Sequence, residues 1–153
     1  MRIYFAGPLF CEAERAFNLA LVEKLEEHGF SVFLPQRDGV ELKKALTKEM
    51  SENELCQMIF NFDRDQLLKS DIFLIILDGR VPDEGACVEL GIAHENKISG
   101  GHVKLLIGYA SDMRVFAKVF QVNAMLRGAL DELVINESDL IEKITIFKRK
   151  HDT

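Results

Sequence analysis

The sequence has few cysteines, no excess of basic residues and no long apolar run. Its three cysteines are odd in number and widely spaced, at positions 11, 56 and 87. This pattern favours reduced thiols over a disulfide framework or a zinc knuckle. The chain has 19 Lys and Arg against 25 Asp and Glu, for a formal net charge of -6. Since a protein that binds the nucleic-acid backbone needs a basic face, we expect no nucleic-acid polymer as partner.

The longest apolar run, residues 72–77, is far too short to cross a bilayer, which takes about 20 apolar residues. At the N-terminus, charges arrive before an apolar core of adequate length can form, so we expect no signal peptide and no membrane partner. Together with the reduced cysteines, these features predict a cytoplasmic protein. The 153 residues are enough for one domain with a real core, so we expect a single domain over residues 1–153.

Several familiar motifs are also absent. The chain has no G-x-G-x-x-G, no P-loop and no G-x-S-x-G elbow. Its four histidines are scattered, and none stands at metal-ligand spacing from an acid or a cysteine, so we expect no metal site. A phospho-receiver domain needs an acidic pair after its first strand, where this chain has AGPLF. That alternative is therefore disfavoured.

What the sequence does have is a regular alternation of strand-like and helix-like segments. The strand-like segments read RIYFA, SVFLP, DIFLIIL, HVKLLIGY and ELVIN, and stretches of helical periodicity lie between them and after the last. This alternation predicts a parallel sheet with helices on both faces. We expect an α/β, flavodoxin-like (Rossmann-like) sheet of five strands in the order 2-1-3-4-5. Ligands of such sheets bind outside the carboxyl ends of the strands.

Some segments are less regular. Residues 36–39 are predicted as a loop and residues 40–50 as a short helix or an ordered loop. Residues 112–131 are predicted to be helical with a break near Gly128. Asn136 or Ser138 is expected to cap a final helix that ends near Lys150.

Two acids interrupt the apolar faces of the predicted helices. Asp63 lies on one stripe with Leu55, Ile59 and Leu67. The neighbours of Glu89, one turn before and after it, are glycine, alanine and isoleucine. Because a buried carboxylate is costly to ionise, such an acid is usually paired, hydrogen-bonded or functional. The pattern alone leaves a structural and a functional role open for both acids.

Two further residues lie near the predicted ligand edge. Asp83 immediately precedes a helix that begins near Glu84, and capping this helix would explain it. Tyr4 lies near the carboxyl end of the first strand, where a core tyrosine is the commoner explanation.

Four stretches of the chain, in order, resemble the nucleoside 2-deoxyribosyltransferase family. They read IYFAGPLF, FDRDQLLKSDIFLIILDG, DEGACVELGIAHENK and VNAMLRGAL. The third contains a D-x-G-x-x-x-E-x-G-x-A signature, and the four together extend over nearly the whole chain.

The resemblance implies roles for the acids and the tyrosine. Glu89 would be the nucleophile, and Tyr4 would hold it through a hydrogen bond. Asp63 and Asp83 would lie near the base and the sugar, and one of them would assist proton transfer to the leaving base. The substrates would be a deoxynucleoside and a free nucleobase, exchanged with retention in two displacements, and no cofactor is implied.

The resemblance also implies substrate-binding residues. Gly7 and Phe10 lie in the loop after the first strand, where Phe10 would help wall the base pocket. Asn123 would reach into the site of a neighbouring subunit, near the sugar 5'-hydroxyl, with Met125 close by. We therefore expect a homo-oligomer, a dimer or larger, with shared active sites.

The loop after the second strand does not align well with the family. Gln36 and Asp38 are candidates for base recognition there, and the choice between purine and pyrimidine stays open. A second departure is Ala86, at a position that is often Thr in the family.

Two alternative functions stay open. One is an N-glycosidase that hydrolyses 2'-deoxynucleoside 5'-monophosphates, whose relatives tend to have Ser where Asp83 and Asn123 stand here. Because an Asp would repel a phosphate dianion, Asp83 favours a free 5'-hydroxyl, although Arg37 or Arg127 could compensate. The other is a non-catalytic domain that senses a nucleoside or nucleotide, since a fold does not prove a function.

Overall fold

The computed structural model describes residues 1–40, 50–111 and 122–151. Helices and strands alternate along these ranges, except that two helices follow β2. In chain order the elements are β1 (Arg2–Ala6), α1 (Glu12–Glu27), β2 (Ser31–Phe33), α2 (Pro35–Asp38), α3 (Glu52–Leu68), β3 (Ile72–Ile76), α4 (Glu84–Ile98), β4 (Leu105–Tyr109), α5 (Ala124–Ala129), β5 (Glu132–Val134) and α6 (Glu137–His151).

The strands form one parallel sheet in the order β2-β1-β3-β4-β5, which confirms the predicted flavodoxin-like order. In its register Tyr4 of β1 lies opposite Phe33 of β2 and Phe73 of β3. Every residue of β3 and β4 is buried, as expected for inner strands covered on both faces. Because the strands are parallel, the loops after β1, β2 and β3 all leave from the same edge of the sheet.

The helix caps follow the sequence pattern closely. Ser51 and Glu54 form the expected capping box of α3, in which each side chain bonds the other residue's amide. Asp83 caps α4 by accepting a hydrogen bond from the Ala86 amide at 2.8 Å. Of the two residues considered for α6, Asn136 is the cap, since its side chain accepts from the Asp139 amide at 2.8 Å.

One predicted loop is wrong. Residues 35–38 form the short helix α2, because Pro35 at its first position has the fixed backbone angle that a helix start requires. This helix ends at Gly39, whose amide donates to the Pro35 carbonyl.

Parts of two other predicted segments lie outside the described residues, namely 41–49 and 112–121. The described remainder of the second segment contains α5, which ends one residue after Gly128 and so agrees with the predicted break. None of the helices in the described ranges is long and apolar enough to cross a membrane.

Alternate residues of each strand face two separate apolar cores. Ile3 and Phe5 of β1 face α1 and α6, where they share a core with Leu25. Tyr4 and Ala6 face the opposite side, which is covered by α3 and α4. The hydroxyl of Tyr4 therefore lies on the side of the sheet that carries Asp63 in α3 and Glu89 in α4.

Candidate active site

The centre of the site is a hydrogen bond between Tyr4 and Glu89. The Tyr4 hydroxyl donates to Oε1 of Glu89 at 2.6 Å. The tyrosine side chain has no exposed surface, and its ring stacks between Phe33 and Phe73 with centroid separations of 5.4 and 5.8 Å. Since packed rings cannot turn freely, this sandwich fixes the direction from which Glu89 is held.

The electrostatics of Glu89 are unusual for a carboxyl group. Burial raises the pKa of Glu89, the hydrogen bond from Tyr4 lowers it, and the charges of Asp63 and Asp83 raise it, so that the net pKa is about 7. Burial, together with the nearby Glu89 carboxylate, holds the pKa of Tyr4 far above its ordinary value. Tyr4 therefore stays protonated and serves as a donor, and Glu89 can change its charge near neutral pH.

Asp63 lies on α3 and contributes a second carboxyl group to the same side of the sheet. Burial raises its pKa to about 6, so its protonated form is populated near neutral pH. Its Oδ1 is buried and has no hydrogen-bond partner among the described residues. Because an unpaired buried oxygen is costly, this atom is suited to a partner that a ligand would bring.

Asp83 is both a helix cap and a neighbour of the site. Its Oδ2 bonds the Ala86 amide, and its negative charge contributes to the raised pKa of Glu89. Capping therefore explains the position of Asp83, and it also keeps the negative charge of Asp83 close enough to affect Glu89.

The loop after β1 passes very close to β3. A Cβ added at Gly7 would lie 3.0 Å from Cβ of Ile76, so the absence of a side chain permits this approach. Phe10, at the other end of the loop, is 77% exposed. The structure therefore places Gly7 against the sheet and leaves the Phe10 ring largely in solvent.

The two candidates after β2 already have partners within the chain. The carboxylate of Asp38 accepts from the Leu34 amide at 2.9 Å and pairs with the Arg37 guanidinium at 2.9 Å. Gln36 accepts a hydrogen bond from Asn18 at 2.9 Å and donates one to the Arg15 carbonyl at 2.9 Å. No hydrogen bond among the described residues links either side chain to Glu89.

Asn123 and Met125 lie on the surface at the start of α5. Asn123 caps this helix by accepting from the Met125 amide at 2.8 Å, and the Met125 side chain is 81% exposed. Among the described residues, neither forms a hydrogen bond with the Tyr4–Glu89 pair. Within one chain, the structure thus brings together Tyr4, Asp63, Asp83 and Glu89. Met125 lines a groove with Cys87 and Leu90, the neighbours of Glu89 on α4.

Sequence reasoning missed Asn18, a polar residue of α1 that is only 2% exposed. The pattern contains a signal for it, because Asn18 precedes Leu21, Val22 and Leu25 at helical spacing on the buried stripe. It is the same kind of signal that drew attention to Asp63.

Within residues 1–40, 50–111 and 122–151, no group of three or more His, Cys, Asp or Glu side chains is arranged to hold a metal ion.

The protein is thus a parallel α/β fold in which a carboxyl group is held by a buried tyrosine and has two further acids nearby. The sequence profile described as "Nucleoside 2-deoxyribosyltransferase" matches residues 3–142. The chain belongs to this family. Membership in this family indicates an enzyme of the nucleoside deoxyribosyltransferase type.

Solved structures with the same fold extend over nearly the whole chain. A conserved protein from Enterococcus faecalis V583 is 24% identical, with a TM-score of 0.75 over 95% of this chain and 97% of its own. The 2-deoxyribosyltransferase of Bacillus psychrosaccharolyticus is 20% identical, with a TM-score of 0.68 over 92% and 90%. A CMP N-glycosidase of Clostridium botulinum is 18% identical, with a TM-score of 0.58 over 96% and 99%. No curated protein sequence gives a significant match.

Proposed function

We propose that the protein exchanges the nucleobase of 2'-deoxyribonucleosides through a covalent deoxyribosyl–Glu89 intermediate. The observation that carries this proposal is the 2.6 Å hydrogen bond by which buried Tyr4 holds Glu89. A carboxylate fixed through one oxygen has its other oxygen available as a nucleophile, and no second hydrogen bond to it comes from the described residues.

The first displacement cleaves the N-glycosidic bond. The free oxygen of the Glu89 carboxylate attacks C1' and forms an ester, while the electron pair of the broken C1'–N bond leaves with the base. The departing base takes a proton from the carboxyl group of Asp63. The products are the deoxyribosyl ester, a neutral base and ionised Asp63.

The second displacement reverses these events with a new base. A ring nitrogen of the acceptor base attacks C1', the ester bond to Glu89 breaks, and the base returns a proton to Asp63. Two inversions at C1' give overall retention, and water in place of the base gives hydrolysis. Without a 2'-hydroxyl the cationic transition state forms more readily, so carboxyl groups suffice for this cleavage.

Both acids have pKa values near neutrality, about 7 for Glu89 and about 6 for Asp63. The active form needs an ionised Glu89 and a protonated Asp63, whereas this order of pKa values favours the opposite arrangement in the free protein. The hydrogen bond from Tyr4 favours the anion of Glu89, whereas Oδ1 of Asp63 has no such donor among the described residues. Tyr4 therefore lowers the pKa of Glu89 but leaves it above that of Asp63, so the proposal requires substrate binding to move the proton from Glu89 to Asp63.

The similarity to a CMP N-glycosidase supports a second candidate function, hydrolysis of a 2'-deoxynucleoside 5'-monophosphate. The carboxylate of Asp83 argues against it, because a phosphate dianion nearby would be repelled. Turnover of deoxycytidine and of its 5'-monophosphate at equal concentration separates the two. Faster turnover of the monophosphate would overturn the preferred assignment.

The active unit in this proposal is a homo-oligomer in which Asn123 and Met125 of one chain complete the site of another. Neither forms a hydrogen bond with Glu89 among the described residues of its own chain, and the apolar side chain of Met125 is 81% exposed. Light scattering should give a mass of at least two chains. Mixing and reassembling Glu89→Ala with Asn123→Ala chains should restore part of the activity that each has lost.

The decisive experiment for the reaction is incubation with deoxyinosine and free adenine, followed by chromatography. New deoxyadenosine shows transfer, while hypoxanthine with free deoxyribose alone shows hydrolysis. Binding without any turnover would instead support a sensing domain. In the transferase, mass spectrometry of protein quenched during turnover should locate a deoxyribosyl adduct on Glu89, and an adduct on another residue would contradict the mechanism.

A further inference from the structure

Asn18 occupies an unusual position in the layer opposite the catalytic acids. It lies on the buried stripe of α1 with 2% of its surface exposed, and its apolar neighbours on that stripe are Leu21 and Val22. A buried amide is costly unless its polar atoms are paired. Its hydrogen bonds therefore show what this residue does.

Both hydrogens of the Asn18 amide nitrogen have acceptors at the carboxyl edge of the sheet. Nδ2 donates to the Pro8 carbonyl at 2.8 Å and to Oε1 of Gln36 at 2.9 Å. Nε2 of Gln36 in turn donates to the Arg15 carbonyl at 2.9 Å. The two side-chain amides thus form a chain that ends on a backbone carbonyl at each side.

This arrangement dictates how both amides are oriented. A backbone carbonyl can only accept, so Asn18 must present its nitrogen to Pro8 and Gln36 must present its nitrogen to Arg15. The Gln36 oxygen is then left facing Asn18, in agreement with the observed bond. Turning the Gln36 amide over would break two hydrogen bonds at once.

The orientation matters because of where Gln36 lies. Pro8 follows β1 and Gln36 follows β2, and the two strands are paired with Tyr4 opposite Phe33. Gln36 thus lies beyond the carboxyl end of β2, at the end of the sheet where the loops after β1 and β3 also leave, and it is half-buried. Its bonds to the described residues occupy one hydrogen and one acceptor position of the amide, and one of each remains without a partner among these residues.

We propose that Asn18 is a positioning residue for nucleobase recognition, which fixes the Gln36 amide so that it offers the base one donor and one acceptor in set places. This inference rests on the proposed function. It specifies the substrate class further: a base with an amino group beside a ring nitrogen acceptor, since that pair matches a side-chain amide in a two-bond contact.

The test is a double-mutant cycle in which the affinity of each variant for free bases is measured by calorimetry. Adenine is compared with purine, and cytosine with 2-pyrimidinone, each analogue lacking the amino group. In the wild type we expect the better-bound amino base to bind about tenfold more tightly than its analogue, the value of one or two hydrogen bonds. Asn18→Ala and Gln36→Ala should each abolish most of this preference.

In the Gln36→Ala background, Asn18→Ala should have no further effect on the preference, because its effect acts through Gln36. A structural role alone would weaken both bases equally and would add to Gln36→Ala, and either result overturns the proposal. Asn18→Ser, which keeps a donor, should recover part of the preference. If Asn18→Ala unfolds, the same cycle can be completed with Asn18→Ser, Gln36→Ala and the variant that combines them.

Binding needs no turnover, so the cycle also separates the two claims. A wild-type protein that prefers the amino base but exchanges none would contradict the proposed function and support the role of Asn18. A wild-type protein that exchanges bases without preferring the amino base would overturn the role of Asn18 and leave the reaction intact.

Discussion

The two faces of the sheet differ in what their buried side chains can do. On the face covered by α1 and α6, Ile3, Phe5 and Leu25 contribute apolar surface, and Tyr109 is the tyrosine of that core. On the face covered by α3 and α4, Tyr4 in the same strand meets Glu89. A strand that alternates its side chains can therefore serve stability on one side and chemistry on the other. Substitutions on the two faces should therefore have different effects, a loss of stability on the first and a loss of activity on the second.

The largest expected effect is the loss of the nucleophile. Glu89→Ala should lower base exchange by roughly a thousandfold or more, because no other group can form the ester. The protein should stay folded by circular dichroism. The matched control is Glu95→Ala, an exposed acid of the same helix, which should keep wild-type activity. Normal exchange in Glu89→Ala would refute the assignment.

Loss of the proton donor should come next. Asp63→Asn should lower the rate about 10²- to 10⁴-fold with bases that leave poorly, since those need protonation. Deoxynucleosides with activated leaving groups should be affected much less. Asp65→Asn removes an exposed acid of the same helix and should change neither rate. A uniform loss with all leaving groups would remove Asp63 from the role of acid.

On the opposite face, Leu25→Ala should act on stability alone. Leu25 is fully buried, and a cavity there should lower the free energy of unfolding by about 2–5 kcal/mol. Urea denaturation gives this value, while the pH dependence of exchange in the folded protein should match the wild type. A shifted pH profile would mean that the two faces are coupled more closely than their separate cores suggest.

Glu89 itself should lower the stability of the fold at high pH. Its pKa in the folded protein, about 7, lies above its ordinary value of 4.5, so the folded state binds the proton more tightly. Stability from this group is complete below pH 4.5 and is lost as the pH rises through 7. Glu89→Gln should therefore be more stable than wild type at pH 8, by about 2 kcal/mol after allowance for partial exposure, and little changed at pH 4. Denaturation of both proteins, with Glu95→Gln as control, measures the difference.

The smallest effect should come from Tyr4→Phe, which removes one hydrogen bond and keeps the packed ring. Because that bond lowers the pKa of Glu89, its loss should raise this pKa above about 7. The part of the pH–rate profile in which the rate rises as Glu89 ionises should move to higher pH. At pH 7 the rate should fall about tenfold. An unchanged limb would mean that Tyr4 does not set the charge of Glu89.

Local pattern predicted those parts of the structure that local interactions determine. The run DIFLIIL predicts a strand buried on both faces, and the spacing of Ser51 and Glu54 predicts a helix start. The alternation of elements predicts a parallel sheet, but it and the handedness of the connections allow several strand orders, so the order came from analogy with flavodoxin-like folds. The short helix α2 was missed because the loop-forming residues around Gly39 outweighed the helix-starting tendency of Pro35.

The contacts of the site needed information that periodicity does not contain. Tyr4 and Glu89 are 85 positions apart in the chain, and only the three-dimensional fold brings them within a hydrogen bond. Periodicity therefore predicts that Tyr4 and Glu89 are buried but does not predict that they contact each other. The same limit applies to Asn18, since its stripe shows that it is buried but not that Gln36 is its partner.

The aromatic sandwich around Tyr4 also gives the molecule an optical property. The chain has 2 tyrosines and 0 tryptophans, so its intrinsic fluorescence comes from tyrosine with no indole emission to mask it. One of the two emitters donates its hydroxyl to the carboxylate that would carry the sugar. When that carboxylate becomes an ester, it loses its charge and becomes a weaker acceptor, and the emission of Tyr4 should change. Formation of the ester on Glu89 would then register, without a label, as a change in the ultraviolet emission of Tyr4 beside it.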